Sequence, residues 1–299
     1  MKYYLLSLLI GWSMLGQAQP LVQVVTKVVE KELPYVDGQR IRLNAQKADV
    51  TLKGWNRSVV SVKLRLVAKN VDKAVAEKEV DYHRYVLQAE NGQIELSNSF
   101  ELPKPAKKLQ SQLRAIYEVS LPAKAFLSLT NSFGDIRLSD LTGDTSVKFE
   151  FGKLTLENIG GKLAITSEYG DIDGHNLDAT LTGKLEKADV VLRNLSGSVN
   201  LQSRYGKLTV LPTPALSTLK IEAARTEILV VTKRLVDFRF DVVTSFADIR
   251  VPESLTEQLS KYAGKQVLSY QPPGRKPEIA IQNSYSTVTI QGDKPLVNR

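Results

Sequence analysis

Asn131-Ser132-Phe133-Gly134-Asp135-Ile136 recurs as Phe149-Glu150-Phe151-Gly152-Lys153-Leu154 and as Ser167-Glu168-Tyr169-Gly170-Asp171-Ile172. A weaker copy, Leu185-Glu186-Lys187-Ala188-Asp189-Val190, precedes a clear one at Ser203-Arg204-Tyr205-Gly206-Lys207-Leu208. The closing apolar residues 136, 154, 172, 190 and 208 are each 18 apart, with no insertion. A fixed period of this size is the signature of a repeat architecture. Beyond it the motif returns at Glu227-Ile228, at Ser245-Phe246-Ala247-Asp248-Ile249 and at Ser284-Tyr285-Ser286-Thr287-Val288. The last step, of 39 residues, leaves room for two irregular turns.

Inside one unit the apolar residues are Leu156, Ile159, Leu163, Ile165, Tyr169 and Ile172; the unit from 191 to 208 repeats this as Leu192, Leu195, Val199, Leu201, Tyr205 and Leu208. Alternation with period two is a strand signal. Asn158-Ile159-Gly160-Gly161, Asn176-Leu177-Asp178 and Asn194-Leu195-Ser196-Gly197 separate the alternating runs. Asn and Gly suit tight corners. Each unit reads as two short strands with two or three corners, which is one turn of a coil whose turns stack about 4.8 Å apart. The fold expected is all-β: a right-handed parallel β-solenoid, β-helix-like, with rungs of about 18 residues, the hand following the usual crossover preference. The unit is too short for a propeller blade, and it shows neither the helical nor the Asn-ladder signature of leucine-rich repeats.

Parity assigns the columns. Ile165 and Ser167 share a face with Tyr169, while Lys148, Glu150, Lys184, Glu186, Gln202 and Arg204 fall outside. The aromatic column of Phe133, Phe151, Tyr169 and Tyr205 is therefore expected inside, beside a corner at Gly134, Gly152, Gly170, Ala188 and Gly206. The alternative is a surface strip that stacks sugars. The next column, Asp135, Lys153, Asp171, Asp189, Lys207, Glu227 and Asp248, reads as a solvated charge ladder; a calcium site would need an unbroken set of oxygens.

Outward from the repeats, Gln39 to Leu43, Asp49 to Leu52, Val59 to Val67, His83 to Ala89 and Gln93 to Ser97 alternate as strands, with Asn91-Gly92 as a turn. A short helix is expected over Val71 to Val80, and another over Ser254 to Tyr262 ending at Gly264. Pro103 to Lys108 and Gln271 to Pro277 read as loops. Open solenoid edges need covers, so the N-terminal antiparallel strands are expected to form a cap. At the start, Lys2, the apolar Leu5 to Leu15 and Gly16-Gln17-Ala18 read as a cleaved export signal ending before Gln19. The organisation expected is a signal peptide at 1–18, an N-terminal β region and cap at 19–118, and solenoid repeats with an irregular cap at 119–299.

The chain of 299 residues carries 40 Lys+Arg against 32 Asp+Glu. The excess is spread over both flanks: 17 basic and 12 acidic residues at 19–118, 10 and 11 at 119–208, 12 and 9 at 209–299. A nucleic-acid surface concentrates its charge among aromatics, so nucleic acid is not an expected partner. With no Cys, disulfides, thiolate metal sites and cysteine nucleophiles are excluded; His83 and His175 are the only histidines. No catalytic, cofactor-binding or metal-binding residue is identified. No stable membrane span is expected in the mature chain, because the one apolar run is too short.

Ala48-Asp49-Val50-Thr51-Leu52-Lys53-Gly54-Trp55, followed by Val59-Val60-Ser61-Val62, resembles the opening of the bacterial putative-adhesin domains of unknown function, relatives of auto-transporter adhesin heads. Ile116 to Pro122 and Leu127 to Ile136 resemble that family's core pattern. The resemblance implies a β-helix-like envelope protein without an established ligand. The reading is a non-enzymatic exported protein of the periplasm or cell surface, an adhesin-like binding or scaffold module with a surface glycan or an envelope protein as partner. A polysaccharide-active β-helix enzyme is the alternative, with Asp171 and Asp189 about 4.8 Å apart on adjacent rungs as the nearest thing to a carboxylate pair. A periplasmic accessory to envelope-stress signalling is a further one.

Overall fold

The structure, a computed structural model, describes residues 21–90, 92–103 and 108–292. The export signal, Asn91 of the expected turn and positions 104–107 of the first expected loop lie outside the described residues. In chain order the strands are β1 (Gln23–Pro34), β2 (Arg40–Gln46), β3 (Ala48–Trp55) and β4 (Val59–Asn70), then helix α1 (Lys73–Glu79). β5 (His83–Glu90), β6 (Gln93–Phe100), β7 (Gln112–Pro122), β8 (Phe126–Ser132) and β9 (Ile136–Leu141) follow. β10 (Asp144–Val231) is one ribbon of 88 residues that turns corners without losing its ladder. β11 (Arg239–Ser245), β12 (Ile249–Arg250), β13 (Leu259–Tyr262), β14 (Lys265–Tyr270), β15 (Glu278–Ser284) and β16 (Val288–Gln291) complete the fold.

The stack is parallel and in register. Val147 pairs with Leu129 and Leu154 with Ile136, each 18 residues back, so like side chains lie above like. Leu, Ile and Val of successive rungs, such as Leu138, Leu156, Leu192 and Val210, are buried in one apolar column. Contact of each rung with the next supplies most of the burial that stabilises such an array.

Both ends depart from sequence order. β2 lies between β6 and β8, and β3 lies between β7 and β9, all in parallel. Only β1, β4 and β5 pair antiparallel around them, so part of the expected antiparallel cap belongs to the stack. At the other end β15 sits between the 218–224 stretch of β10 and β11, and β16 sits between 228–231 and β12. The rung at 278–291 is therefore not the last but the last but one. The 39-residue step is not two further turns. It holds the antiparallel β13–β14 hairpin, which covers β11.

The short helix forms where expected, capped by Asp72, whose side chain accepts from the backbone N–H of Ala74 and Val75. The second expected helix does not form. Glu253–Gln258 is a 3-10 turn, and Leu259–Tyr262 pairs with β14 instead. Ala263 and Gly264 both have positive φ, 46° and 75°, the geometry of a two-residue hairpin turn, so Gly264 is a turn residue rather than a helix stop.

Candidate binding surface

The aromatic column is outside, not inside. Phe133, Phe151, Tyr169 and Tyr205 are 52%, 44%, 48% and 40% exposed. Strand parity holds up to the preceding residue and fails at the corner, because each ring residue has a left-handed backbone, with φ of 64°, 52°, 56° and 56°. That turn carries the side chain outward while Ser167 and Ile165 stay in the core. The corner is braced from within. Asn131 Nδ2, Ser167 Oγ, Thr244 Oγ1 and Asn283 Nδ2 each donate to the carbonyl three residues on, at 3.2, 2.8, 2.8 and 2.8 Å. Where glycine follows the ring the stacking can be close: a Cβ on Gly152 would stand 2.2 Å from the Gly134 carbonyl oxygen.

The column continues as Lys187, Arg225, Tyr285 and Phe246, all with φ between 53° and 62°. Phe133 and Phe151 stack with centroids 4.9 Å apart at 4°, Phe151 and Tyr169 at 5.1 Å and 9°, Tyr285 and Phe246 at 5.3 Å and 12°. Lys187 Nζ sits 4.3 Å from the centroid of Tyr169, and the Arg225 guanidinium is 5.4 Å from Tyr205 and 5.5 Å from Tyr285. The ring faces are turned to one another and to these cations. A sugar stacks on a free face, so within the ladder this geometry does not offer the strip of platforms that surface exposure alone would suggest.

The energetic trade is local. A left-handed backbone costs a non-glycine residue roughly 1–2 kcal/mol, and stacking plus cation–π contact returns a similar amount. Tyr169→Ala is accordingly expected to lower stability by about 1–2 kcal/mol in a urea melt, well short of the roughly 3–5 kcal/mol of a buried ring. A loss in that larger range would show the ring to be core.

A second corner uses the same backbone with residues suited to it. Asp140, Asn158, Asn176 and Asn194 have φ of 58°, 54°, 54° and 50°. Each Asn Nδ2 donates to the side-chain oxygen one rung back, at 2.9, 3.0 and 3.0 Å. An asparagine ladder is therefore present, contrary to the expectation from sequence.

The charged column is a ladder of a particular kind. Oδ1 of Asp49, Asp135, Asp171 and Asp189 accepts from the backbone N–H of Asp135, Lys153, Asp189 and Lys207, at 3.1, 3.1, 3.0 and 3.0 Å. Asp171 and Asp189 are thus each tied to the rung beyond. Asp173 lies between Lys153, at 3.3 Å, and Arg193. Partial burial pushes its carboxyl up, but the hydrogen bonds and charges of those two cations outweigh it and hold it below the usual range. His175 is exposed. His83 is buried against Phe100, with Nε2 3.3 Å from the Val67 carbonyl, and burial pushes its pKa down. Among the described residues no three His, Cys, Asp or Glu side chains converge as a metal site would need.

The outward face where β2, β8 and the first rungs of β10 lie side by side is concave. An open trough of about 670 Å³ lies there, lined by Arg40, Arg42, Phe126, Ser128, Ser146, Lys162, Ala164 and Thr182 among others. Register explains the grouping. Arg42 pairs with Ser128 and Ser128 with Ser146, and Ala164 and Thr182 follow at 18-residue steps. The result is a floor of small residues running along the solenoid axis. Arg40 pairs with Phe126 on the adjacent row. Lys162 Nζ is 3.6 Å from Asp144, while neither Arg40 nor Arg42 is in an ion pair among the described residues. A second concavity further along the face, of about 520 Å³, mixes Glu168, Glu186 and Glu222 with Lys184 and Arg204. Sequence reading held Ser128 only within the family resemblance at 127–136 and Arg40 and Arg42 only within an alternating strand, and it did not single out Ser146. The 18-residue period marks the floor, but nothing local places β2 beside β8.

Eight solved chains match this one, among them the following three at low identity. One is a putative cell adhesion protein from Clostridium sporogenes, at 12% identity over 90% of this chain and 100% of that one, with a TM-score of 0.24. A putative lipid binding protein from Parabacteroides distasonis is 14% identical over 89% and 97%, with a TM-score of 0.47. A putative adhesin from Bacteroides fragilis is 11% identical over 89% and 97%, with a TM-score of 0.41. No curated protein matches the chain. The Toastrack DUF4097 family model matches residues 32–272, most of the stack but not β15 and β16. By that match the chain belongs to the Toastrack DUF4097 family of unknown function.

Proposed function

We propose that this protein is a non-enzymatic, adhesin-like binding module of the cell envelope, exported by cleavage before Gln19. Its working surface is the outward face of a right-handed solenoid with rungs of about 18 residues, capped and interlocked by the region 19–118. The observation that carries this reading is the trough: its floor keeps small side chains at 128, 146, 164 and 182 over four successive rungs. Three rung spacings give a floor of about 15 Å, open along the axis, which suits a segment of an extended chain. The carboxylates at 171 and 189, which are the nearest approach to a glycosidase pair, already serve backbone amides of neighbouring rungs.

The test is a glycan array with the chain starting at Gln19, alongside a reducing-end assay on the polysaccharides that it retains. Binding without release of reducing ends is the expected result. Turnover that disappears in Asp171→Asn would overturn the non-enzymatic reading. Failure to retain any glycan would overturn the placement of binding in the trough.

A further inference from the structure

We infer that the trough beside β2 binds an acidic polysaccharide, with Arg40 and Arg42 taking its anionic groups and Phe126 a sugar face. The inference rests on the reading of this face as the binding surface, and it adds the charge and class of the ligand. Arg40 and Arg42 are two residues apart on one strand, so both project outward with their Cα atoms about 7 Å apart. Both are exposed. A guanidinium presents a planar fork that matches a carboxylate or sulfate in a bidentate way. Lys162 adds a third cation, three rungs from Arg40 and two from Phe126, against Asp144 on the rung between. Glu95 of β6 lies opposite Arg42 in register, without forming an ion pair with it.

Phe126 differs from the rings of the corner column. It is 40% exposed and is stacked on no other ring or cation among the described residues, so it has a face to offer. In register it is the direct neighbour of Arg40, which sets an apolar face beside a cation. Ser128, Ser146 and Thr182 on the floor can each donate and accept toward sugar hydroxyls. A lone ring, a hydroxyl floor and spaced cations fit an acidic sugar chain better than a nucleic acid, whose single strands call for a series of stacking rings.

The test is titration calorimetry of the chain from Gln19 with polygalacturonate, with a neutral galactan, with a single-stranded oligonucleotide and with anionic vesicles. Polygalacturonate is expected to bind most tightly, and to weaken with added salt as screened charge contacts do. The double variant Arg40→Ser/Arg42→Ser and the single Phe126→Ser are each expected to weaken it by about tenfold or more. Lys53→Ser, outward on β3 and away from the trough, is expected to bind as the unaltered chain does. Thermal melts of all variants are expected to match that of the unaltered chain, so that a loss of binding is read on a folded protein. Equal binding to the neutral galactan would overturn the acidic ligand yet leave a glycan-binding face standing. Absence of binding to both polysaccharides would sink the two together. Tighter binding to the oligonucleotide or to vesicles, or undiminished binding by the Arg variant, would overturn the inference.

Discussion

Ending the chain at Pro277 should unfold the C-terminal part of the stack rather than fray its end. The segment removed holds β15 and β16, which lie between β10 on one side and β11 and β12 on the other. Its side chains Ile279, Ile281, Val288 and Ile290 are at most 1% exposed. At about 1.5–3 kcal/mol for each buried aliphatic side chain, their loss comes to roughly 6–12 kcal/mol. That is comparable with the whole stability of an ordinary domain. The cut also leaves two unpaired strand edges where one rung had been. Circular dichroism melts and limited proteolysis should show cleavage within 218–250 and a transition lost or lowered by tens of degrees. An unchanged melt would mean that the last strands lie outside the stack, in sequence order.

The second large effect is expected at Gly134. A Cβ there would stand 1.9 Å from the carbonyl oxygen of Ala48, on a backbone with φ of 157°. The same carbonyl accepts a hydrogen bond from Asn131 Nδ2 at 2.9 Å. The three nearest atoms all belong to the Ala48 backbone, so relief requires the rung of β2 and β3 to move away from β8 and β9. Gly134→Val is expected to cost at least about 3 kcal/mol. Gly38→Ala is a fair comparison, since Gly38 also has positive φ, 88°, but has open space around it. It should cost about 1 kcal/mol for the backbone alone. Urea midpoints of the two variants decide the matter, and equal losses would show that the rungs do not approach so closely.

These two positions also mark how far the sequence could be read. The 18-residue period was visible because consecutive rungs are consecutive in the chain, as with Val147 over Leu129. The same logic fails for Arg40, whose partner Phe126 is 86 residues away, and for Thr218, whose partner Glu278 is 60 away. No local pattern encodes which distant segment slips between two rungs. The corner column was misassigned for a different reason. Period-two alternation assumes extended backbone at every residue, and Tyr169 interrupts it with φ of 56°. Asn158 and Asn176 announced their corner because Asn favours that conformation. Phe151 and Tyr169 do not favour it, and their stacking on each other is legible only once the rungs are in register. The trough inherits both difficulties. Its floor repeats every 18 residues, while its arginines arrive from outside the repeat.

Lysine acetylation read by mass spectrometry, with and without polygalacturonate, tests most directly where this protein binds. Lys162 lines the trough with 74% of its side chain exposed, and Lys187 lies on the corner column over Tyr169. The trough account predicts that Lys162 is shielded while Lys187 and Lys53 label as before. Shielding of Lys187 with Lys162 still reactive would contradict it and would move the binding surface to the aromatic corner.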